Sequence, residues 1–278
     1  LAKEETTTSL AAGAAGKALK ASGLKAEQID LLIVATITSD TETPSTACRV
    51  QAELGAVNAV AFDINAACSG FLYAIHTADA FIKSGIYKNV LLVGAETLSK
   101  LVDWTDRSTC VLFGDGAGAA VLTAAEQGGV TAQAIGSDGS RWEVLSCMGR
   151  SNHNPICQEQ AEAGFLQMNG QEVFKFAIKT VPQCIEEALK QAGISPEEVT
   201  CFLLHQANKR IIQSVAKRLK QPEDKFPMNI DQCANTSAAS LPILLAQMDE
   251  QGRLHPGDRL VLSGFGAGLT WGACVLEW

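Results

Sequence analysis

With 278 residues the chain can form one large domain or two medium ones, and 47% apolar against 19% charged residues supports a sizeable core. A net charge of −8 argues against a general nucleic-acid binder, no apolar run approaches the roughly 20 residues of a membrane span, and no signal peptide is visible. Nine cysteines without a C-x-x-C pair signal neither a zinc site nor a disulfide framework, so no metal is expected and a reducing cytoplasm is the simplest compartment.

The chain opens at Leu1 without a Met, in a Thr-rich capping stretch from Glu4 to Ser9 that leads into a helix. Residues Ala18 to Val34 then read as a helix, a stop at Gly23, a short second cap and a buried strand. Residues 61–71, Ala-Phe-Asp-Ile-Asn-Ala-Ala-Cys-Ser-Gly-Phe, carry an apolar strand into small residues and a second helix pattern. Cys68 therefore stands at a helix N-terminus, where unpaired N–H groups and the helix dipole favour a thiolate and a nucleophile. The alternative is a buried cysteine serving as a small hydrophobe. Asn89 to Gly94 reads as another buried strand, and Glu126-Gln127-Gly128-Gly129 as a boundary between units 1–126 and 127–278.

The second unit echoes the first. Residues Ala188 to Leu204 repeat Ala18 to Val34 at an offset of 170, and Asp258 to Gly264 echo Asn89 to Gly94 near the same offset. Helices alternating with buried strands in both units predict an α/β fold built by duplication. His205 leaves the repeated strand at its C-terminal end, where ligand sites of α/β sheets gather. On the helix from Asn208 to Lys220, Lys209, Arg210, Lys217 and Lys220 share roughly one quadrant, opposite Ile211, Ile212, Val215 and Leu219. That basic stripe suits an acidic partner; a solvated helix face is the alternative. Asn235, in Ile230 to Ser240, is expected in a turn equivalent to that of Cys68, at an offset of 167. Strand ends of two related halves would bring Cys68, His205 and Asn235 together. Cys, His and Asn fit either a papain-like hydrolase with a thiolate–imidazolium pair, or a thioester synthase in which neutral His and Asn donate to an enolate. A Gly-rich turn at Gly264 to Gly272 could expose N–H groups as an oxyanion hole.

Five ordered motifs carry a resemblance: Asp63 to Phe71, Phe113 to Leu122, His205 to Asn208, Asn235 to Ser240 and Gly266 to Gly272. Together they resemble the β-ketoacyl-acyl carrier protein (ACP) synthase III family of the thiolase superfamily. The resemblance implies the thiolase fold, duplicated halves in a layered αβαβα sandwich, and a homodimer. It implies a Cys68–His205–Asn235 triad that starts fatty-acid synthesis without a cofactor, a coenzyme A thioester being substrate. Cys68 takes an acyl group from acyl-CoA. Malonyl-ACP then loses CO₂, and its enolate attacks the acyl-Cys68 carbonyl. The implied oxyanion donors are the N–H groups of Cys68 and Ala267, and Phe265 would disfavour the malonyl carboxylate. Arg107 would contact the CoA nucleotide, and Gly170, Phe174 and Asn208 the pantetheine arm. Leu98, Phe113 and Met168 would shape the acyl pocket, and Lys209, Arg210 and Lys217 would meet ACP. Thr43 stands where the family often has a bulky aromatic reaching the partner's pocket, so acyl groups longer than acetyl are expected to be accepted. The family's upstream segment, with a first core strand and a Trp/Arg pair for the CoA adenine, is not in this sequence. Rival readings are a starter synthase or acyltransferase of polyketide or quinolone metabolism, and a non-catalytic acyl-carrier-binding module.

Overall fold

The computed structural model describes residues 3–149, 156 and 164–278. The chain runs α1 (Thr7–Ser22), β1 (Leu31–Ala35), α2 (Thr46–Leu54), β2 (Val60–Ile64), α3 (Gly70–Lys83), β3 (Asn89–Thr97) and β4 (Asp115–Thr123). It continues with β5 (Gly129–Ser137), the two-residue partners β6 (Leu145–Ser146) and β7 (Gln167–Met168), α4 (Gly170–Ala192) and β8 (Cys201–Leu204). It closes with α5 (Lys209–Leu219), α6 (Ile230–Cys233), α7 (Ser240–Glu250), β9 (Arg259–Gly266) and β10 (Thr270–Glu277).

The repeat seen in the sequence has a physical basis in caps. Helix α1 begins with a reciprocal Thr6–Ser9 capping box and stops at Gly23, φ 72°. Helix α4 stops at Gly193, φ 70°. Both glycines supply the left-handed residue that closes a helix at no steric cost. One short 3₁₀ turn then leads into β1, and its counterpart leads into β8.

Two four-stranded sheets result, in the orders β2-β1-β3-β4 and β5-β10-β9-β8. β1 pairs in parallel with β2 and β3, and β8 in parallel with β9; β4, β5 and β10 are antiparallel to their neighbours. Alternation along the strands sorts the core into layers. Leu31, Ile33, Cys201, Leu203, Leu260 and Leu262 face a central layer that holds Phe71 and Ile75 of α3 and Leu241 and Leu244 of α7. Leu32, Val34, Leu91 and Val93 face outward onto Ala11, Ala15 and Leu19 of α1 and Val50 of α2. Phe202, Leu204 and Val261 face outward on the other side, onto Ile185 of α4 and Val215 of α5. The order is helix, sheet, helix, sheet, helix, the thiolase sandwich. Each fully buried Leu, Ile or Phe contributes about 1.5–3 kcal/mol by leaving water, so both faces of both sheets stabilise the layering.

One expectation is corrected. The run before Asn235 is not a strand: Ile230–Cys233 forms one helical turn, because the Asn229 carbonyl accepts the N–H groups of Gln232 and Cys233. Nor does Asn235 correspond to Cys68. Ala67 and Ser237 share an unusual left-handed backbone, φ 46° and 47°. The Asn65 Oδ1 accepts the Ala67 N–H at 3.3 Å, and the Asn235 Oδ1 accepts the Ser237 N–H at 2.9 Å. The offset is again 170, so Asn235 matches Asn65 and Cys68 matches Ala238.

Candidate active site

Cys68 lies in the 3₁₀ turn Ala67–Ser69 between β2 and α3, and is 8% exposed. Two glycines of β9 let the backbone close in on it. A Cβ on Gly266 would stand 2.6 Å from the Cys68 nitrogen, and one on Gly264 would stand 3.2 Å from the His205 Cβ and 3.7 Å from the Cys68 carbonyl oxygen. The bare backbone of β9 thus packs closely on the Cys68 elbow, beside the turn of Ala267. That turn is tied to the elbow by Thr270, whose hydroxyl bonds the Ala66 carbonyl at 3.0 Å.

His205 follows β8 directly and is buried. Its Nδ1 is 2.6 Å from the Ser240 Oγ, and the same oxygen receives the Gln206 N–H at 3.4 Å. The Ser240 hydroxyl, which accepts from that N–H, still has its own proton to give to Nδ1, and in that tautomer the ring hydrogen stands on Nε2. Burial pushes the imidazole down to about 3. It is therefore neutral at physiological pH and offers an Nε2–H donor. The Phe265 ring stands edge-on to it at 5.7 Å, backed by Phe176.

Asn235 is held between two stretches of chain. Its N–H donates to the Leu112 carbonyl and its carbonyl accepts the Gly114 N–H, both at 2.9 Å, so it pairs with Phe113 across a bridge. Because Oδ1 accepts the Ser237 N–H, the side-chain orientation is fixed and Nδ2–H is the group it can offer a ligand.

The thiol departs from the expected thiolate. Burial pushes Cys68 up to about 12, with the Ser237 hydroxyl opposing and the nearby Glu96 charge adding to the rise. Desolvation outweighs the helix N-terminus, and the resting group is a thiol. The sequence reading missed Glu96, Ser237 and Ser240. Glu96 is fully buried near the end of β3. Its signal was a carboxylate closing the otherwise apolar run Val90 to Ala95.

The remaining residues are distributed unevenly. Phe113, Met168, Phe174 and Ala267 all pack against the same core cluster as Phe265. Gly170 opens α4 behind an Asn169 cap, and the Asn208 Oδ1 caps α5 through the Arg210 N–H at 2.8 Å. The two helix starts meet where the Arg210 guanidinium sits 5.9 Å from the centre of the Phe174 ring. Lys209, Arg210 and Lys217 are exposed. Arg107 is exposed on a loop shaped by Asp103 and Asp106, and no hydrogen bond joins it to the triad. Leu98 is buried after β3, and Thr43 is exposed on the loop between β1 and α2. No group of described His, Cys, Asp or Glu residues could hold a metal ion, and no described helix is long and apolar enough to cross a membrane.

Comparison with known proteins adds a separate line of support. Residues 62–139 match the 3-oxoacyl-[acyl-carrier-protein (ACP)] synthase III family, and residues 189–278 match its C-terminal region. A β-ketoacyl-[acyl-carrier-protein] synthase III of Clostridium tetani is 48% identical over 100% of this chain and 86% of its own length. The crystal structure of 3-oxoacyl-[acyl-carrier-protein] synthase III from Aquifex aeolicus VF5 superposes with a TM-score of 0.92 at 47% identity, covering 100% of this chain and 86% of that one. The priming β-ketosynthase of the R1128 polyketide pathway superposes with a TM-score of 0.91 at 34% identity, covering 99% and 82%.

Proposed function

Since this chain belongs to the 3-oxoacyl-[acyl-carrier-protein] synthase III family, a family of condensing acyltransferases, we propose that Cys68, His205 and Asn235 carry its reaction. Acyl-CoA loads Cys68, and malonyl-ACP supplies the two-carbon unit with loss of CO₂, giving 3-oxoacyl-ACP and starting fatty-acid synthesis. The observation that carries this reading is the neutral His205. A protease-like mechanism needs an imidazolium beside a thiolate, whereas here the imidazole is buried, unprotonated and capped at Nδ1 by Ser240.

Each residue then has a chemical task. Cys68 Sγ forms the thioester, and the N–H groups of Cys68 and Ala267 hold the oxyanion of the tetrahedral intermediate. His205 Nε2–H and Asn235 Nδ2–H donate to the oxygen of the enolate left by decarboxylation. Both donors are in place before reaction, so little reorganisation is needed as charge develops. The apolar Phe265 face solvates a carboxylate poorly, which favours its departure as neutral CO₂. Phe113, Met168 and Leu98 shape the acyl pocket. Gly170, Phe174 and Asn208 line the pantetheine path, with Arg107 on the nucleotide. No resident cofactor takes part. The exposed Lys209 and Lys217 suit an acidic carrier protein, with Arg210 at the channel mouth against Phe174. The enzyme acts in the cytoplasm as a homodimer; β2, an edge strand with Val60 half exposed, is available for pairing. Curated relatives named β-ketoacyl-[acyl-carrier-protein] synthase III at 46–49% identity support the fatty-acid pathway.

The test is intact mass after incubation with acyl-CoA, followed by addition of malonyl-ACP. One acyl adduct on Cys68, discharged with release of CO₂ and 3-oxoacyl-ACP, is the expected result. An adduct that survives Cys68→Ala, or none on the wild type, overturns the reading.

A further inference from the structure

A thiol raised by burial needs somewhere to put its proton when it attacks. His205 is a poor recipient, because its Nδ1 is engaged with Ser240 and its mechanism requires a neutral ring with hydrogen on Nε2. Another acceptor lies on the opposite side of the elbow. Glu96 is fully buried in β3, and a carboxyl in such a place is costly unless it is hydrogen-bonded. Its Oε2 is occupied: it takes the Thr38 hydroxyl at 2.7 Å, the Ile37 N–H at 3.1 Å and the Thr36 hydroxyl at 3.3 Å. Its Oε1 faces the Ser237 hydroxyl at 3.1 Å, with the Ile37 N–H at 3.3 Å. Ser237 belongs to the elbow packed against that of Cys68, and its hydroxyl is near enough to the thiol to oppose the rise that burial imposes on it.

The serine between them is placed with care by the backbone. Ser237 adopts φ 47°, which a non-glycine residue rarely does, and it is kept there by the Asn235 Oδ1. A hydroxyl has one proton to give and lone pairs to accept with, so Ser237 can accept from Sγ–H while donating to Oε1. Around this line the other charged groups are paired elsewhere: Asp40, two residues beyond Thr38, bonds Lys100 at 2.8 Å and Arg49 at 3.5 Å. Asp115, in register with Thr97, accepts the Ser99 N–H at 2.9 Å.

We propose that Glu96 receives the Cys68 proton through the Ser237 hydroxyl during acyl loading and returns it when the acyl group leaves. In loading, the Sγ–H bond breaks and its proton goes to Ser237 Oγ, as the proton of that hydroxyl moves to Glu96 Oε1. The freed sulfur pair forms the S–C bond to the thioester carbonyl, whose π pair moves to oxygen. Collapse expels the CoA thiolate, which takes a proton from solvent. In condensation the enolate carbon attacks the acyl-Cys68 carbonyl, the Cys68–acyl bond breaks, and sulfur recovers its proton from Glu96 by the same path. Burial pushes Glu96 up to about 7, against its hydrogen bonds, so its carboxyl can hold or release a proton at physiological pH.

The inference rests on the acyl-enzyme reading of Cys68. It is tested by the rate of acyl-Cys68 formation in a single turnover, read by intact mass across pH. The wild type should load faster as pH rises through the Glu96 ionisation. Glu96→Gln should slow loading by about 10²-fold, the usual scale of a lost proton acceptor, and should lose that step in the profile. Ser237→Ala should do the same while leaving the carboxyl in place, and Glu96→Asp should restore part of the rate. Infrared difference spectra should gain a protonated carboxyl band on acylation, absent in Glu96→Gln. Folded Glu96→Gln that loads at the wild-type rate with the wild-type profile overturns the relay. If both variants fail to fold, a wild-type loading rate that is flat between about pH 6 and 8 overturns it. A wild type that forms no acyl-Cys68 at all defeats the functional reading instead.

Discussion

The two elbows of the molecule, residues 65–70 and 235–240, share one backbone and divide the chemistry. Both open on an asparagine whose Oδ1 holds the N–H two residues on, both pass through a left-handed residue, and both continue as a 3₁₀ turn into a helix of the central layer. At the 170-residue offset, Cys68 faces Ala238, His205 faces Ala35, and Ser240 faces Gly70. The resemblance extends to the packing. A Cβ on Gly94 would collide with the Ala238 carbonyl, and one on its counterpart Gly264 would touch the Cys68 carbonyl oxygen at 3.7 Å. A Cβ on Gly70 would touch Ala35 at 3.1 Å, the position matched by Ser240 against His205. The frame is therefore duplicated and the reacting groups are not. The second elbow lends the first an amide and a hydroxyl, Asn235 and Ser237.

The sharpest way to break this contrast is to move the thiol. Cys68→Ala combined with Ala238→Cys puts sulfur on the matching backbone, where Ala35 replaces the histidine. Incubation with acyl-CoA should leave the protein mass unchanged, with loading lost by three orders of magnitude or roughly more. An adduct on the new cysteine would show that the frame alone activates a thiol. The asparagines give the next largest difference. Asn235→Ala should reduce condensation by about 10²–10³-fold, the scale of a lost oxyanion donor, and acyl loading by less, because the Oδ1 that holds Ser237 is lost with it. Asn65→Ala removes one hydrogen bond, worth about 1 kcal/mol, and should change turnover by less than about threefold. Equal losses from the two would dissolve the asymmetry.

Much of this plan is legible in the sequence because it is local. The helix stops at Gly23 and Gly193, the buried strands that follow, and the Cys68 elbow depend on neighbours within a few residues. What was misjudged depends on depth and distance. The run Ile230–Cys233 is too short for period to separate strand from helix, and its misreading paired Asn235 with the wrong residue. The thiolate expected at Cys68 follows from a helix N-terminus, but burial beneath β9 decides the ionisation, and no local pattern reports burial. Glu96 meets Ser237 across 141 positions of sequence, and nothing within a few residues of it signals that partner.

Glu96 and His205 give a contrast in stability with a definite sign. Burial raises the Glu96 pKa from 4.5 to about 7, so the folded state binds more protons than the unfolded state between those values. Its contribution is fully present below pH 4.5 and is lost as pH rises through 7. His205 runs the other way. Its value falls from 6.5 to about 3, so stability is lost as pH falls through that window. Melting curves of wild type and Glu96→Gln isolate the first term. The advantage of the wild type should shrink by about 1–3 kcal/mol between acid and mildly alkaline buffer. A difference that is constant with pH would mean that Glu96 titrates as it would in water. Ser240→Ala tests the histidine side. With Nδ1 unpartnered the ring loses its tautomer preference, and condensation should fall about tenfold while loading is spared. An equal loss in both steps would assign Ser240 to packing.

The contrast reaches the surface, where the expected effect is smallest. After β8 the chain runs Asn208-Lys209-Arg210 into α5; after β1 it runs Thr38-Ser39-Asp40 into a loop. Only the half that carries His205 presents a basic helix beside the site, in a chain of net charge −8. Because Arg210 also stacks on Phe174, changing it confounds charge with channel shape. Lys209→Glu with Lys217→Glu is cleaner, since both side chains are exposed on one face. The pair should lower kcat/KM for malonyl-ACP about three- to tenfold at low salt, less at high salt where screening shortens the reach of charge. Acyl-CoA loading should be unchanged. A parallel fall in loading would mean that the stripe serves the nucleotide rather than the carrier protein, and the salt dependence of each step measured alone would show it.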